Sequence, residues 1–417
     1  MSIGHQEFLQ IADKIGREFC RDALWDKNRC TWLGWSMESV QYQMSTCYRS
    51  LLADLYSGTS GIALFLAELS QFTQDQQQSR VAEGGLRQAL SIAPKIEVRQ
   101  QHGFYTGQVG IAYAAIRAGE LLQKEELIAR GLALLSGLQY VPFDNQMIDV
   151  LSGSAGAIPV LIGMSQRYQR PELLELALAH GQHLLKMAVT SEAGTSWHTV
   201  QMPVKQNLVG HSHGVAGIVT ALLELSQVSG DQTFRDTAMQ GLRYESQFFN
   251  SERGNWQDLR IMSATNSAQR ESYYLGWCHG APGIGLSRLR NAKLVTDNGL
   301  ILEDLDAAIN TTAMVLSQSP LSKLGNFSLC HGVAGNAELL IMAGQKLLRP
   351  ELTAIAEKIG FDGYDHHMKK GLPWSCGNGN AGETPNLMLG TAGIGYFYLR
   401  LFDPDAVPPI LIIAPGD

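Results

Sequence analysis

Seven times along the chain, a mixed polar stretch gives way to Gly-x-x-Gly and then to about ten small and aliphatic residues. The copies read SGTSGIALFLAEL from Ser57, TGQVGIAYAAIRA from Thr106, SGSAGAIPVLIGM from Ser152 and HGVAGIVTALLEL from His213. They continue as HGAPGIGLSRLR from His279, HGVAGNAELLIMA from His331 and LGTAGIGYFYLRL from Leu389. A helix that is apolar on nearly every side is buried on nearly every side, so each copy predicts an inner helix. The segments between copies are amphipathic and carry helix-start signals: Pro171-Glu172-Leu173, Asp231, and Pro350-Glu351-Leu352. Proline at the first helical position followed by an acid is such a start, and these segments predict half-exposed outer helices.

The first glycines stand at 58, 107, 153, 214, 280, 332 and 390, a loose period of 46 to 66 residues sustained along the chain. Stacked hairpins form either an open solenoid or a closed ring, and a solenoid needs polar capping helices. The last copy is as apolar as the others, so the pattern predicts an all-α fold, an α/α toroid of seven inner and seven outer helices. A single domain over 1–417 is expected, with a helical lead-in over 1–50, repeats from about 51 to 403, and a C-terminal tail over 404–417. The paired glycines are expected to let the chain turn sharply into each inner helix. They also account for composition: 43 glycines stand where roughly 29 are usual. No Gly-Lys-Ser/Thr follows any copy, which argues against phosphate loops.

Charge and hydropathy narrow the function. A net charge of −7 and a pI near 5.9 argue against a nucleic-acid binder held by phosphate contacts. The N-terminus has charged residues and no apolar core, so no signal peptide is read. No run of 18 apolar residues exists, which removes transmembrane helices. A cytoplasmic location is expected. Six cysteines in a long chain of this kind read as buried thiols, metal ligands or nucleophiles rather than a disulfide framework.

The repeats differ just before the first glycine. Copies four, five and six carry His213, His279 and His331 there, and copies five and six add Cys278 and Cys330 immediately before the histidine. Equivalent positions of a ring point at one central space, so two Cys-His pairs converge with the composition of a zinc site. A catalytic zinc takes three protein ligands and keeps one position open; spacing leaves open which three of Cys278, His279, Cys330 and His331 serve. Cys20, Cys30, Cys47 and Cys376 read as structural, and His366-His367, in a polar stretch, as solvent-exposed. His211 lies two residues from His213 but outside the motif.

These residues resemble the LanC-like lanthionine cyclases. GFYTGQVGIAYA, GHSHGVAGI, WCHGAPGIGLSRLR and PNLMLGTAGIGYFYLRLFDP are most similar to the cyclase domain of class II, LanM-type synthetases. The large dehydratase domain of those synthetases does not fit in 417 residues, so a stand-alone cyclase or an excised domain is expected. The resemblance implies zinc held by Cys278, Cys330 and His331, with His213 as an acid/base residue, Asp149 beside it, and His279 in the active site. An arginine that some members carry four residues before the first zinc cysteine is replaced by Tyr274.

The implied substrate is a dehydrated precursor peptide, supplied where needed by a separate dehydratase. Its cysteine thiol adds to dehydroalanine or dehydrobutyrine and closes a thioether ring. A thiol with a pKa near 8.5 is mostly protonated at neutral pH, and zinc would deprotonate it. The enolate formed must be protonated at the α-carbon, which suits a histidine. Asp149 also reads as an N-terminal helix cap. Two alternatives share the fold: addition of glutathione to dehydrated residues of other proteins, and a non-catalytic binding module stabilised by structural zinc.

Overall fold

The computed structural model describes residues 3–40, 43–200, 204–260, 271–296, 298–379 and 381–415. Helix α1 (Ile3–Asp22) is followed by two antiparallel hairpins, β1 (Leu24–Asp26) with β2 (Arg29–Thr31) and β3 (Leu33–Val40) with β4 (Gln43–Ser50). Inner and outer helices then alternate: α2 (Thr59–Thr73) and α3 (Gln76–Ile92), α4 (Gln108–Leu121) and α5 (Glu125–Gly137), α6 (Ser154–Tyr168) and α7 (Pro171–Lys186). The second half continues with α8 (Val215–Ser229) and α9 (Gln232–Ser246), α10 (Ala281–Leu294) and α11 (Gly299–Gln318), α12 (Val333–Lys346) and α13 (Pro350–Gly363), and ends on α14 (Thr391–Phe402).

Each inner helix is buried along most of its length, whereas the outer ones bury a single stripe. The start signals hold: Asp231 caps α9 by accepting from the Thr233 amide at 2.8 Å, and Pro171 and Pro350 open α7 and α13. The inner helices pack side by side, and α14 returns to α2. The fold is an α/α toroid.

Its seventh outer helix comes from the other end of the chain. Nothing helical follows α14 among the described residues; α1 packs on it instead. The first fifty residues are therefore helical only up to Asp22, and the rest form hairpins. The alternation of Arg29–Thr31 and the following strands is too short to outweigh the helix that precedes it when read as sequence alone.

Closure is drawn most plainly by the backbone. The residues two before each first glycine form an unbroken circle of N–H···O=C bonds. Tyr56 donates to Tyr105 (2.8 Å), Tyr105 to Leu151 (3.0 Å), Leu151 to Ser212 (3.3 Å) and Ser212 to Cys278 (3.4 Å). Cys278 donates to Cys330 (3.2 Å), Cys330 to Met388 (3.0 Å) and Met388 back to Tyr56 (3.0 Å). Packing the loops this tightly explains the glycines. In all seven copies a Cβ on the second glycine would lie 1.7 to 2.4 Å from the carbonyl oxygen six residues earlier, such as Phe104 O for Gly110. The first glycines have extended backbones that any residue adopts, except Gly280 at φ +96°. Close approach, rather than a left-handed turn, is the reason for the motif.

Ten residues past the first glycine, charged side chains clamp neighbouring inner helices. Arg117 holds Glu68 at 2.7 Å, and Arg290 holds Glu224. Arg400, ten past Gly390, instead holds Glu338, six past Gly332, at 2.7 Å. The C-terminal tail enters the ring: Ile410, Leu411 and Ile412 are buried, and their carbonyls accept from Tyr105 Oη and Trp277 Nε1, both at 2.8 Å. No helix among the described residues is long and apolar enough to cross a membrane.

Candidate active site

Because Cys278 and Cys330 are bonded neighbours in the backbone circle, their side chains start from one place. His331 follows Cys330, and the three donor atoms of Cys278, Cys330 and His331 lie within 4.8 Å of one another, the one such group among the described residues. Both thiols are buried. Of the pair, Cys278 ionises first: the Cys330 thiol donates to it, and Arg260 and His213 add positive charge that outweighs burial. Cys330 accordingly keeps its proton, with the Tyr56 phenol also hydrogen-bonded to it. On His331, Nε2 lies 3.0 Å from the Gly377 carbonyl. A carbonyl only accepts, so Nε2 carries the proton and Nδ1 keeps a free lone pair.

This set suits zinc. Two thiols and a neutral imidazole are among its preferred donors, which it binds at about 2.0–2.3 Å. The Gly377 carbonyl orients the imidazole from behind, as outer partners of metal ligands do.

Beside this cluster stands a His-Asp pair. His213 Nδ1 lies 2.6 Å from Asp149 Oδ2, with Asp149 buried and His213 partly open. Burial opposes a charged ring here, but the Asp149 hydrogen bond and charge win and hold the His213 pKa above its usual value. Asp149 has two tasks at once, since its other oxygen accepts from the Ser152 amide at 2.7 Å and caps the entry to α6. His279 lies next to His213, with ring centroids 5.9 Å apart. Burial first, then Arg260 and His213, push its pKa down to about 3. Its Nε2 is buried without a hydrogen-bond partner among the described residues. All six residues singled out in the sequence thus meet in one space: a three-donor cluster, a histidine paired with a carboxylate and a second histidine beside it.

Other expectations fare differently. His211 is buried, 2.8 Å from Ser287 Oγ and edge-on to Trp277, away from the cluster. Cys376 and Cys30 are buried thiols facing the Thr384 and Val81 carbonyls. The pair His366-His367 is not solvent-exposed. His367 is buried, stacked on Trp374 at 4.5 Å and bonded to the Pro373 carbonyl at 2.7 Å. Polar neighbours in sequence misled because a widened, π-helical turn over Tyr364–Met368 rolls one of two adjacent histidines inward.

The sequence reading missed Arg260. It lies between α9 and α10, outside any repeat, and its one trace is the 66-residue gap between the fourth and fifth copies, the longest of all. Its guanidinium stands over the Tyr274 ring, 5.6 Å from the centroid. Tyr274, where the resemblance led one to expect arginine, thus supports an arginine from the same α9–α10 connection.

Residues 50–412 match the family described as "Lanthionine synthetase C-like protein". The chain belongs to that family. It is 23% identical over 398 residues to the lacticin 481/lactococcin biosynthesis protein LcnDR2 of Lactococcus lactis subsp. lactis, covering 88% of this chain and 38% of that protein. It spans well under half the length of that relative. It is 24% identical over 299 residues to the glutathione S-transferase LANCL1 of Danio rerio, covering 68% of this chain and 67% of that protein. Among solved structures, nisin cyclase superposes with a TM-score of 0.63 at 15% identity, covering 85% of this chain and 90% of that one, which concerns the fold.

Proposed function

We propose that this protein is a zinc-dependent lanthipeptide cyclase, which adds cysteine thiols of a dehydrated precursor peptide to dehydroalanine or dehydrobutyrine of the same peptide. The observation that carries this reading is the Cys278, Cys330, His331 cluster beside the Asp149-oriented His213. Bound by those three residues, zinc would supply a Lewis-acid site that keeps a substrate thiol ionised at neutral pH. The two-thiolate, one-imidazole set is neutral with the ion, so a further thiolate is tolerated and stays electron-rich.

The chain's own groups manage the protons. With Nδ1 bonded to Asp149, His213 exchanges protons through Nε2. In its charged form, favoured by Asp149, it is suited to deliver a proton to the α-carbon of the enolate. His279, next to it and held neutral by its surroundings, can accept a hydrogen bond from the substrate. Proton transfer by a placed side chain is worth about 10²–10⁴-fold in rate. The family relationship and the cyclases and synthetases among the relatives support the peptide as substrate.

The test is incubation of the zinc-loaded protein with a dehydrated, cysteine-containing peptide, counting free thiols and measuring mass. Loss of thiol at constant mass is expected. Thiol retained in the peptide with the mass of one glutathione added, when glutathione is supplied, would replace this reading with the glutathione addition suggested by the name of the zebrafish relative. No reaction of either kind would leave a structural zinc site and overturn both.

A further inference from the structure

Adding a thiolate to the β-carbon forms the C–S bond and drives the alkene pair through the α-carbon onto the amide oxygen. The oxygen carries a full negative charge until the α-carbon takes a proton and the pair returns. The thiol proton ends on the α-carbon, and no oxidant or reductant enters. Something must balance that oxygen, and His213 cannot do so while it handles the proton.

We propose that Arg260 is the residue that meets this oxygen. Three observations carry it, and all rest on the cyclase reading above. First, the guanidinium is fixed from behind: Nε and Nη2 donate to Asp258 at 3.0 and 2.7 Å, and the Asp258 amide is itself tied to the Ser272 carbonyl at 2.7 Å. Among the described residues Nη1 makes no hydrogen bond.

Second, the fork lies on a side chain that itself reaches the cluster. It lies over the Tyr274 ring, whose hydroxyl donates to the His331 carbonyl at 3.4 Å. Asn255 ties the Tyr274 carbonyl and the first amide of α10 together, at 2.9 and 2.8 Å. Arg260 thus rests on a brace that also reaches the His331 backbone and is anchored to the helix that follows Cys278. Third, the side chain remains partly open, 19% exposed, as a group that must touch substrate requires.

A donor preset toward a developing oxyanion is worth roughly 10²–10³ in kcat. The experiment uses the zinc-loaded full chain and the dehydrated peptide, and compares wild type with Arg260→Gln and Arg260→Lys for kcat, KM and zinc content. For Arg260→Gln, kcat is expected to fall about 100-fold with zinc stoichiometry unchanged. A rate within about threefold of wild type overturns the proposal, and so does loss of zinc, which would mean that Arg260 serves the ligands. A loss confined to KM overturns it as well. Arg260→Lys decides the matter if the glutamine variant does not fold: an ammonium cannot keep both the Asp258 fork and the oxygen, so kcat should drop about tenfold, and a wild-type kcat refutes the assignment. Inactivity of wild type itself would instead overturn the cyclase reading.

Discussion

At the scale of single residues, Asp149 shows how one side chain serves structure and chemistry together. Asp54 occupies the same register in the first repeat and does only the structural half, accepting from the Ser57 amide at 2.6 Å. Asp149 does that for Ser152 and adds the bond to His213. The two tasks separate by experiment. In Asp149→Asn the amide oxygen can still cap Ser152, while the NH₂ faces His213 and forces the wrong tautomer. Cyclisation should slow about 10²–10⁴-fold, while unfolding in denaturant shifts by less than about 1 kcal/mol. A stability loss matching the loss of rate would show that the cap is the whole role. The same scale marks the limit of sequence reading. Cys278, His279, Cys330, His331 and His213 were legible because each stands in a repeated register, and Asp149 through the family resemblance. Arg260 and Asp258 were not, because their place depends on how a long connection folds back.

At the scale of the element, the unit is a glycine pair that lets an inner helix begin against its own preceding loop. Sequence showed where the glycines are and suggested a sharp turn; the structure assigns them instead to close approach. Gly110→Ala would put a Cβ 1.7 Å from the Phe104 carbonyl oxygen, and backbone cannot give way cheaply. We expect a loss of about 3 kcal/mol in chemical unfolding. Gly137, at the end of α5, has helical backbone and nothing within 4 Å of an added Cβ. Gly137→Ala should stabilise by about 0.4–1 kcal/mol. Equal effects at the two positions would contradict a steric role for the motif.

At the scale of the whole molecule, buried histidines tie stability to pH. His102 and His180 form a relay between repeats. The Val141 carbonyl accepts from His102 Nε2 at 3.3 Å, His180 Nε2 donates to His102 Nδ1 at 3.0 Å, and Ser154 Oγ is 3.0 Å from His180 Nδ1. Each ring then has one proton and no room for a second. Burial pushes His102 down to about 4 and His180 well below its ordinary value, with the neighbouring histidines adding to it; burial also takes His211 to about 4. The unfolded chain binds protons that the folded one refuses, so the folded state is favoured above pH 6.5 and this advantage drains away as pH falls toward 4. The thermal midpoint should therefore decline from pH 7 to pH 5. His102→Asn should flatten that slope, and an unchanged slope would remove the relay as its source.

Period, burial and register lie in the chain itself. Seven apolar runs behind paired glycines required buried helices, the apolar last repeat required closure, and two Cys-His pairs in register required a shared centre. Those properties are local or repeated, so they survive without coordinates. Three things were decided only by tertiary packing. Helix α1 crosses from the opposite end of the chain to complete the outer ring, the tail enters the axis as a plug, and Arg260 reaches the site on the Tyr274 brace. Each depends on contacts between segments far apart in sequence, whose pairing carries no period and is set by which surfaces remain uncovered once the repeats have closed.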